Sequence, residues 1–248
     1  MQVEDLQRAL LTRGFDVGKF GADGDFGADT LKALKAFQRA NGLTDGVWPG
    51  PETLAALSDA QVLTPTSTPP AIVPADWMPA AAIDRIIVHW TAGTNSASAT
   101  DREHYHLLIE GDGKLARGIP TIDKNGRGGV KTGYAAHTLN CNSGSIGVSL
   151  CGMAGAVEAP FSSGKYPITH AQWEVLPGVI ASLCCRYGIP VDRKTVLTHA
   201  EVQGTLGITQ RGKWDIARLP FDLGKIGATA VGNDMRARAV AALGAIGA

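Results

Sequence analysis

Two histidines end runs of strand character. Ile86-Ile87-Val88 leads into His89, and Thr195-Val196-Leu197-Thr198 leads into His199. A β-branched run of that kind reads as a buried strand that delivers one imidazole at its end. Lys213-Trp214-Asp215 adds an ammonium and a carboxylate two residues apart, so in an extended segment both side chains face one side. Catalytic zinc takes three protein ligands from His, Asp, Glu or Cys and keeps one position open for water. His89, His199 and Asp215 form such a set; two neutral imidazoles and one carboxylate leave the site cationic enough to acidify water and polarise a carbonyl. Lys213 beside it would stabilise the oxyanion formed when water attacks an amide, whereas a lysine with no such task is a solvated surface residue. His104-Tyr105-His106 offers a rival. In a strand, His104 and His106 share a face and Tyr105 takes the other, so His89, His104 and His106 make a second candidate ligand set. In the alternative, Tyr105 opens the strand at a cleft and its hydroxyl orients the attacking water. Periodicity does not choose between them.

The elements that must position these groups follow an α/β pattern from Ala82 onward. Strands are expected over Ile83–His89, Tyr105–Ile109, Ser145–Leu150 and Thr195–Thr198. Thr169-His170-Ala171-Gln172 is a capping-box signature for a helix whose apolar residues run on through Leu183. Pro177 within it implies a kink or a later start, and Gly188-Ile189-Pro190 ends it. The last stretch, rich in Ala and Gly with Arg236 and Arg238, is either a helix packed on the domain or a mobile end. Two arginines are few for a membrane-active basic face.

The first 60 residues carry an internal repeat. Asp23-Gly24-Asp25-Phe26-Gly27 before Thr30-Leu31 recurs as Asp45-Gly46-Val47-Trp48 before Thr53-Leu54: a tight turn, an aromatic plug, then a helix start. Val3, Leu6, Ala9 and Leu10 mark a helix stopped by Gly14. Leu31, Leu34 and Phe37 mark a second, ended by Gly42, and Pro51 suits the first turn of a third. A calcium-loop reading of Asp23, Asp25 and Asp29 fails, because Ala28 and Leu34 stand where an EF-hand needs Gly and Glu. Pro65, Pro69, Pro70 and Pro74 among Ser and Thr mark a semi-rigid linker.

Leu6-Gln7, Asp23-Gly24, Phe26-Gly27, Thr30, Phe37-Gln38 and Gly42-Leu43 together resemble the peptidoglycan-binding domain found at the ends of wall hydrolases. Further on, strand-His89-x-Thr91-Ala-Gly, Tyr105-His106-Leu-Leu-Ile with Asp112-Gly113, Asn142-Ser-Gly-Ser-Ile-Gly-Val-Ser-Leu150, Thr198-His199 and Lys213-x-Asp215 occur in order. That order resembles the zinc-dependent N-acetylmuramoyl-L-alanine amidases that share a fold with peptidoglycan recognition proteins, nearest the phage-lysozyme branch. The resemblance implies a mixed central sheet flanked by helices, preceded by a three-helix domain. The boundaries it implies are 1–62 for the wall-binding domain, 63–77 for the linker, 78–225 for the amidase domain and 226–248 for a tail or helix. It implies zinc on His89, His199 and Asp215, catalytic roles for Tyr105 and Lys213, and substrate contacts from Thr91, His137 and Asn142. His106 then becomes a supporting or structural residue. Two departures stand out. The strand after Ser-Ile-Gly lacks the glutamate of some amidases, which leaves its role to Tyr105. The segment Ala200 to Trp214 is longer than usual, which keeps Glu201 and Asp192 as reserve ligands.

A balance of 23 basic and 23 acidic residues gives no bulk attraction to nucleic acid. No apolar run nears the roughly 20 residues of a membrane span. The N-terminus has neither the basic nor the apolar part of a signal peptide. Cys141, Cys151, Cys184 and Cys185 lack metal-ligand spacing and read as reduced, mostly buried thiols. The resulting expectation is an endolysin-like or prophage lysis enzyme, made in the cytoplasm, released through a partner pore and acting on bacterial peptidoglycan in the wall or periplasm. Its rivals are a non-catalytic peptidoglycan recognition protein and a cytoplasmic amidase of soluble muropeptides.

Overall fold

The computed structural model describes residues 2–44, 46–58 and 72–246. Its contacts divide the chain into two compact units, Met1–Thr66 and Ser67–Ala248. Most of the expected linker lies outside the described residues. Among the described residues no helix is long and apolar enough to cross a membrane.

The first unit holds helices α1 (Val3–Thr12), α2 (Ala28–Ala40) and α3 (Pro51–Ser58) around Leu6, Leu10, Leu34, Phe37 and Leu57. The sequence repeat has a structural cause. Gln7 accepts from the amide of Gly24 at 2.8 Å and donates to Thr30 Oγ1 at 3.0 Å. Gln38 does the same one repeat later, accepting from Gly46 at 2.9 Å and donating to Thr53 Oγ1 at 3.2 Å. Each glutamine is buried and ties the glycine of its repeat to the start of the following helix, so its polar ends are satisfied inside the core. The aromatic plugs meet across the unit, Phe26 and Trp48 lying 5.0 Å apart between ring centroids.

The second unit is built on a five-stranded mixed sheet. Strands β1 (Arg85–Trp90), β2 (Leu107–Ile109), β3 (Leu115–Arg117), β4 (Ser145–Leu150) and β5 (Val196–Thr198) are ordered β3-β2-β4-β1-β5. β4 is central, β1 is parallel to both its neighbours β4 and β5, and β3 returns antiparallel on β2. Burial on both faces explains the apolar run Ile86-Ile87-Val88 of β1 and the small or apolar residues throughout β4. The expected second strand is shorter than foreseen. Residues Ala99–His104 form a helical turn, α4, capped by Ser98 and Asp101, and Tyr105 is its C-cap. His104 therefore lies on a helix and His106 just before β2, so they share no strand face.

Helix α5 (His170–Tyr187) starts at the capping box of Thr169 and contains Pro177, so the later start does not apply; Gly188 closes it at φ 65°, in the left-handed region. Helix α6 (His199–Leu206) follows β5 directly. A small ribbon, β6 (Arg218–Leu219) with β7 (Asp222–Ile226), leads into helix α7 (Ala228–Ile246). The C-terminal stretch is thus a packed helix, with Val231, Met235 and Ala239 buried in the core beside α5. Its Arg236 is buried and forks onto Glu201 of α6 with two contacts of 2.9 Å. A Cβ at Gly232 would collide with the same Glu201 carboxylate, so the glycine sets how closely α7 approaches α6. Cys141, Cys151 and Cys184 are buried, Cys185 is exposed, and all four are free thiols.

Candidate metal centre and cleft

Parallel β1 and β5 end side by side, and their ends bring His89 and His199 together. His89 pairs with Ser149 at the carboxyl end of β1, while His199 is the first residue of α6, immediately after β5. The third group arrives on the segment before β6. Trp214 packs edge-on against Trp90 with centroids 4.6 Å apart, the carbonyl of Asp215 accepts from the amide of Ala200 at 3.1 Å, and the Asp215 side chain turns inward. Ile216 follows in the left-handed region at φ 60°, a costly backbone for a β-branched residue; its complete burial helps hold it there.

The three side chains converge. His89 Nδ1 is 3.0 Å from His199 Nδ1 and 3.1 Å from Asp215 Oδ2, and His199 Nδ1 is 2.8 Å from the same oxygen. All three residues are buried. Tetrahedral zinc bonds of about 2.0–2.1 Å set donor atoms roughly 3.3 Å apart, so small outward shifts would admit the ion. Two imidazoles and a carboxylate are also a donor set that suits it. Burial depresses the basicity of His89 to about 4, against a partial restoring pull from Asp215. Burial alone would raise the Asp215 carboxyl, but the imidazoles of His199 and His89 hold it well below the usual carboxylate range.

A cleft of about 720 Å³ opens over His199; Tyr134, His137, Leu139, Arg211 and Lys213 are among its lining residues. Lys213 is exposed there, and its charge contributes to the lowered basicity of His89. Tyr105 stands beside His89, ring centroids 5.3 Å apart. Burial, then the nearby Asp215 charge, pushes its phenol above the ordinary value, so at neutral pH Tyr105 keeps its proton.

His137 is mostly buried, its Nδ1 being 3.2 Å from His89 Nε2 and 2.8 Å from Thr138 Oγ1. It packs over Gly147 of β4, where a Cβ would come within 2.6 Å of the ring; the glycine in Ser-Ile-Gly makes room for that imidazole. Asn142 lines the cleft, and its Oδ1 accepts from the amides of His137 and Thr138 at 3.1 and 2.9 Å. Thr91 ties its own loop to Gly93 and Gly152 through Oγ1. The rival ligand set is not assembled. His104 is exposed with Nδ1 2.8 Å from Thr100 O, and His106 is buried between Asn125 Oδ1 and the amide of Gly147. The reserve ligands are occupied elsewhere: Glu201 by Arg236, and Asp192 by the amides of Lys194 and Thr195. Gln210 and Thr138, which contact the two histidines, escaped the sequence reading, since neither belongs to a periodic or motif pattern.

Residues 79–216, more than half of the chain, match the family model described as N-acetylmuramoyl-L-alanine amidase. The chain belongs to this amidase family. The amidase domain is preceded by residues 2–57, which match the model described as "Putative peptidoglycan binding domain". Among curated relatives, the type VI secretion system spike protein VgrG3 of Vibrio cholerae is 42% identical over 71 residues, 24% of this chain and 7% of that protein. The N-acetylmuramoyl-L-alanine amidase CwlL of Bacillus licheniformis is 43% identical over 58 residues, 23% of this chain and 16% of that protein. The chain thus corresponds to a small part of each of these relatives. Among solved structures, the endolysin amidase LysCS of Clostridium intestinale URNW aligns with a TM-score of 0.40 at 16% identity, over 64% of this chain and 84% of that one. The Ph2119 endolysin from the Thermus scotoductus MAT2119 bacteriophage aligns with a TM-score of 0.40 at 13% identity, over 65% and 88%.

Proposed function

We propose that the amidase domain hydrolyses the amide joining N-acetylmuramic acid to L-alanine in bacterial peptidoglycan, as a zinc enzyme with ligands His89, His199 and Asp215. The observation that carries this reading is the convergence of three buried donor atoms at a cleft that also holds Lys213. When bound there, zinc supplies Lewis acidity to a water molecule and to the scissile carbonyl. The chain's residues do the rest. His89, kept neutral by burial, and Asp215, kept ionised by its imidazole neighbours, hold their lone pairs ready without prior loss of a proton. Tyr105 retains its phenolic proton and so serves as a hydrogen-bond donor that orients the attacking water or the developing tetrahedral centre. Lys213 sets a positive charge where the carbonyl oxygen becomes an oxyanion. Water adds to the lactyl carbonyl, the C–N bond breaks, and the amine of L-alanine leaves with the proton the water gave up. Thr91 and Asn142 act by bracing the loops around the cleft, and His137 lines the cleft while supporting His89.

The first unit would hold the enzyme on the polymer and raise the local concentration of scissile bonds without altering the chemistry. A wall-binding unit beside an amidase domain supports a phage or prophage lysis enzyme acting at the cell wall, and argues against a recycling enzyme for soluble muropeptides. The complete ligand set disfavours a recognition protein that does not cleave. The test is mass spectrometry of purified peptidoglycan digested with and without a chelator. Free stem peptides beginning at L-alanine, lost on chelation and restored by zinc, are expected; bound but intact wall, or cleavage at another bond, would overturn the assignment.

A further inference from the structure

Resting on the zinc reading above, we infer that Gln210 is a positioning residue that commits His199 to binding metal through Nδ1. Gln210 is 2% exposed, and each polar atom of its side chain has a fixed partner. Its Nε2 lies 2.9 Å from the carbonyl of Leu139 and 3.3 Å from that of Ile208. Carbonyl oxygens only accept, so the amide NH2 must face them, and the orientation of the amide follows from its surroundings. Oε1 then faces His199 Nε2 at 2.9 Å. A ring nitrogen opposite an amide oxygen has to donate, so Nε2 carries the hydrogen. Nδ1 is the nitrogen left toward Asp215 and His89, and its lone pair is the one offered to a cation.

The backbone of Gln210 is anchored to the same helix that carries the ligand. Its amide donates to Gln203 Oε1 at 2.9 Å, and Gln203 lies one turn beyond His199 on α6. The segment between His199 and Asp215 therefore folds back and places one buried amide behind the ligand. Metal-bound histidines are commonly fixed in this way through their second nitrogen, and losing such a partner weakens metal binding about 10–100-fold. Here the partner is uncharged, so it sets the tautomer without adding negative charge next to Asp215.

The experiment uses the full zinc-loaded chain with 15N-labelled histidine. In the parent protein, NMR should show His199 with a slowly exchanging proton on Nε2 and the metal on Nδ1. Gln210→Leu should lose protection of that proton and weaken zinc by about 10–100-fold in competition with a chromophoric chelator. Gln203→Leu frees the loop but leaves the amide in place, and should change zinc affinity by less than about threefold. Metal on Nε2 of His199 in the parent protein overturns the inference even if no variant folds. Equal weakening by the two variants, or an unchanged affinity in Gln210→Leu, also overturns it. A parent protein that binds no zinc would instead sink the function proposed above.

Discussion

Arg236 and Glu201 give the sharpest stability prediction. Their side chains are 7% and 1% exposed and meet through two contacts of 2.9 Å. Arg236 also donates to Val196 O at 2.9 Å and Asn233 Oδ1 at 2.8 Å, and Glu201 accepts from the Thr198 amide at 3.0 Å. Arg236→Met removes the cation and leaves a buried carboxylate with one backbone donor. Breaking a buried pair from one side costs about 3–5 kcal/mol, and a domain of this size loses roughly 2–4 °C per kcal/mol. The melting temperature of the second unit should fall by about 10 °C. Adding Glu201→Leu removes the stranded charge and leaves the Thr198 amide without its acceptor, a loss of about 1–2 kcal/mol. The double variant should therefore melt above the single one. The assay is thermal unfolding by circular dichroism with urea titrations of the parent, both single variants and the double variant. A loss under about 1 kcal/mol in Arg236→Met, or a double variant no better than the single, would refute the reasoning.

Three further outcomes are expected. Asp215→Ala should lose zinc by chelator competition and with it wall hydrolysis, whereas Lys213→Ala should keep zinc and lower kcat by about 10²–10³ through loss of oxyanion stabilisation. His106, whose basicity burial depresses from 6.5 to about 4, binds its proton more readily in the unfolded chain. Between about pH 4 and 6.5 stability should then rise with pH, by about 3 kcal/mol from this group; urea titrations across that window should show a flatter slope in His106→Gln, and coincident slopes would refute the assignment. Trp48 is 50% exposed, and Trp48→Ala should reduce retention on pelleted peptidoglycan about fivefold, roughly 1 kcal/mol, with the rate on a soluble muropeptide unchanged.

The ends of β1 and β5 were legible because β-branched runs announce strands, and a parallel pair carries its terminal residues to one edge. Tyr105 was misplaced although a usable signal preceded it: Ser98-Ala99-Thr100-Asp101 is a capping box, and it begins the helix that takes up His104. The short β3 was not foreseen, although Asp112-Gly113 marked its hairpin turn. α7 was open between helix and mobile end because its Ala and Gly give little contrast between faces; what pins it, besides buried Val231, Met235 and Ala239, are polar contacts such as Arg236 to Glu201 and Trp173 Nε1 to Asp234. Gln210 had no periodic signature at all. A buried amide in a loop is defined by the carbonyls around it, and those come from Leu139, some 70 residues away in the chain, and from the neighbouring Ile208.

Helix α7 lies beyond residue 216, where the family match stops, yet it grips both α5 and the helix that starts with His199. Anyone grafting the amidase domain onto a different module would be misled by the family boundary. A chimera carrying residues 79–216 would strand the Glu201 carboxylate and expose the indole of Trp173, whereas one carrying residues 72–246 would transfer the centre with its brace. The exchangeable part is set by where buried charges find their partners.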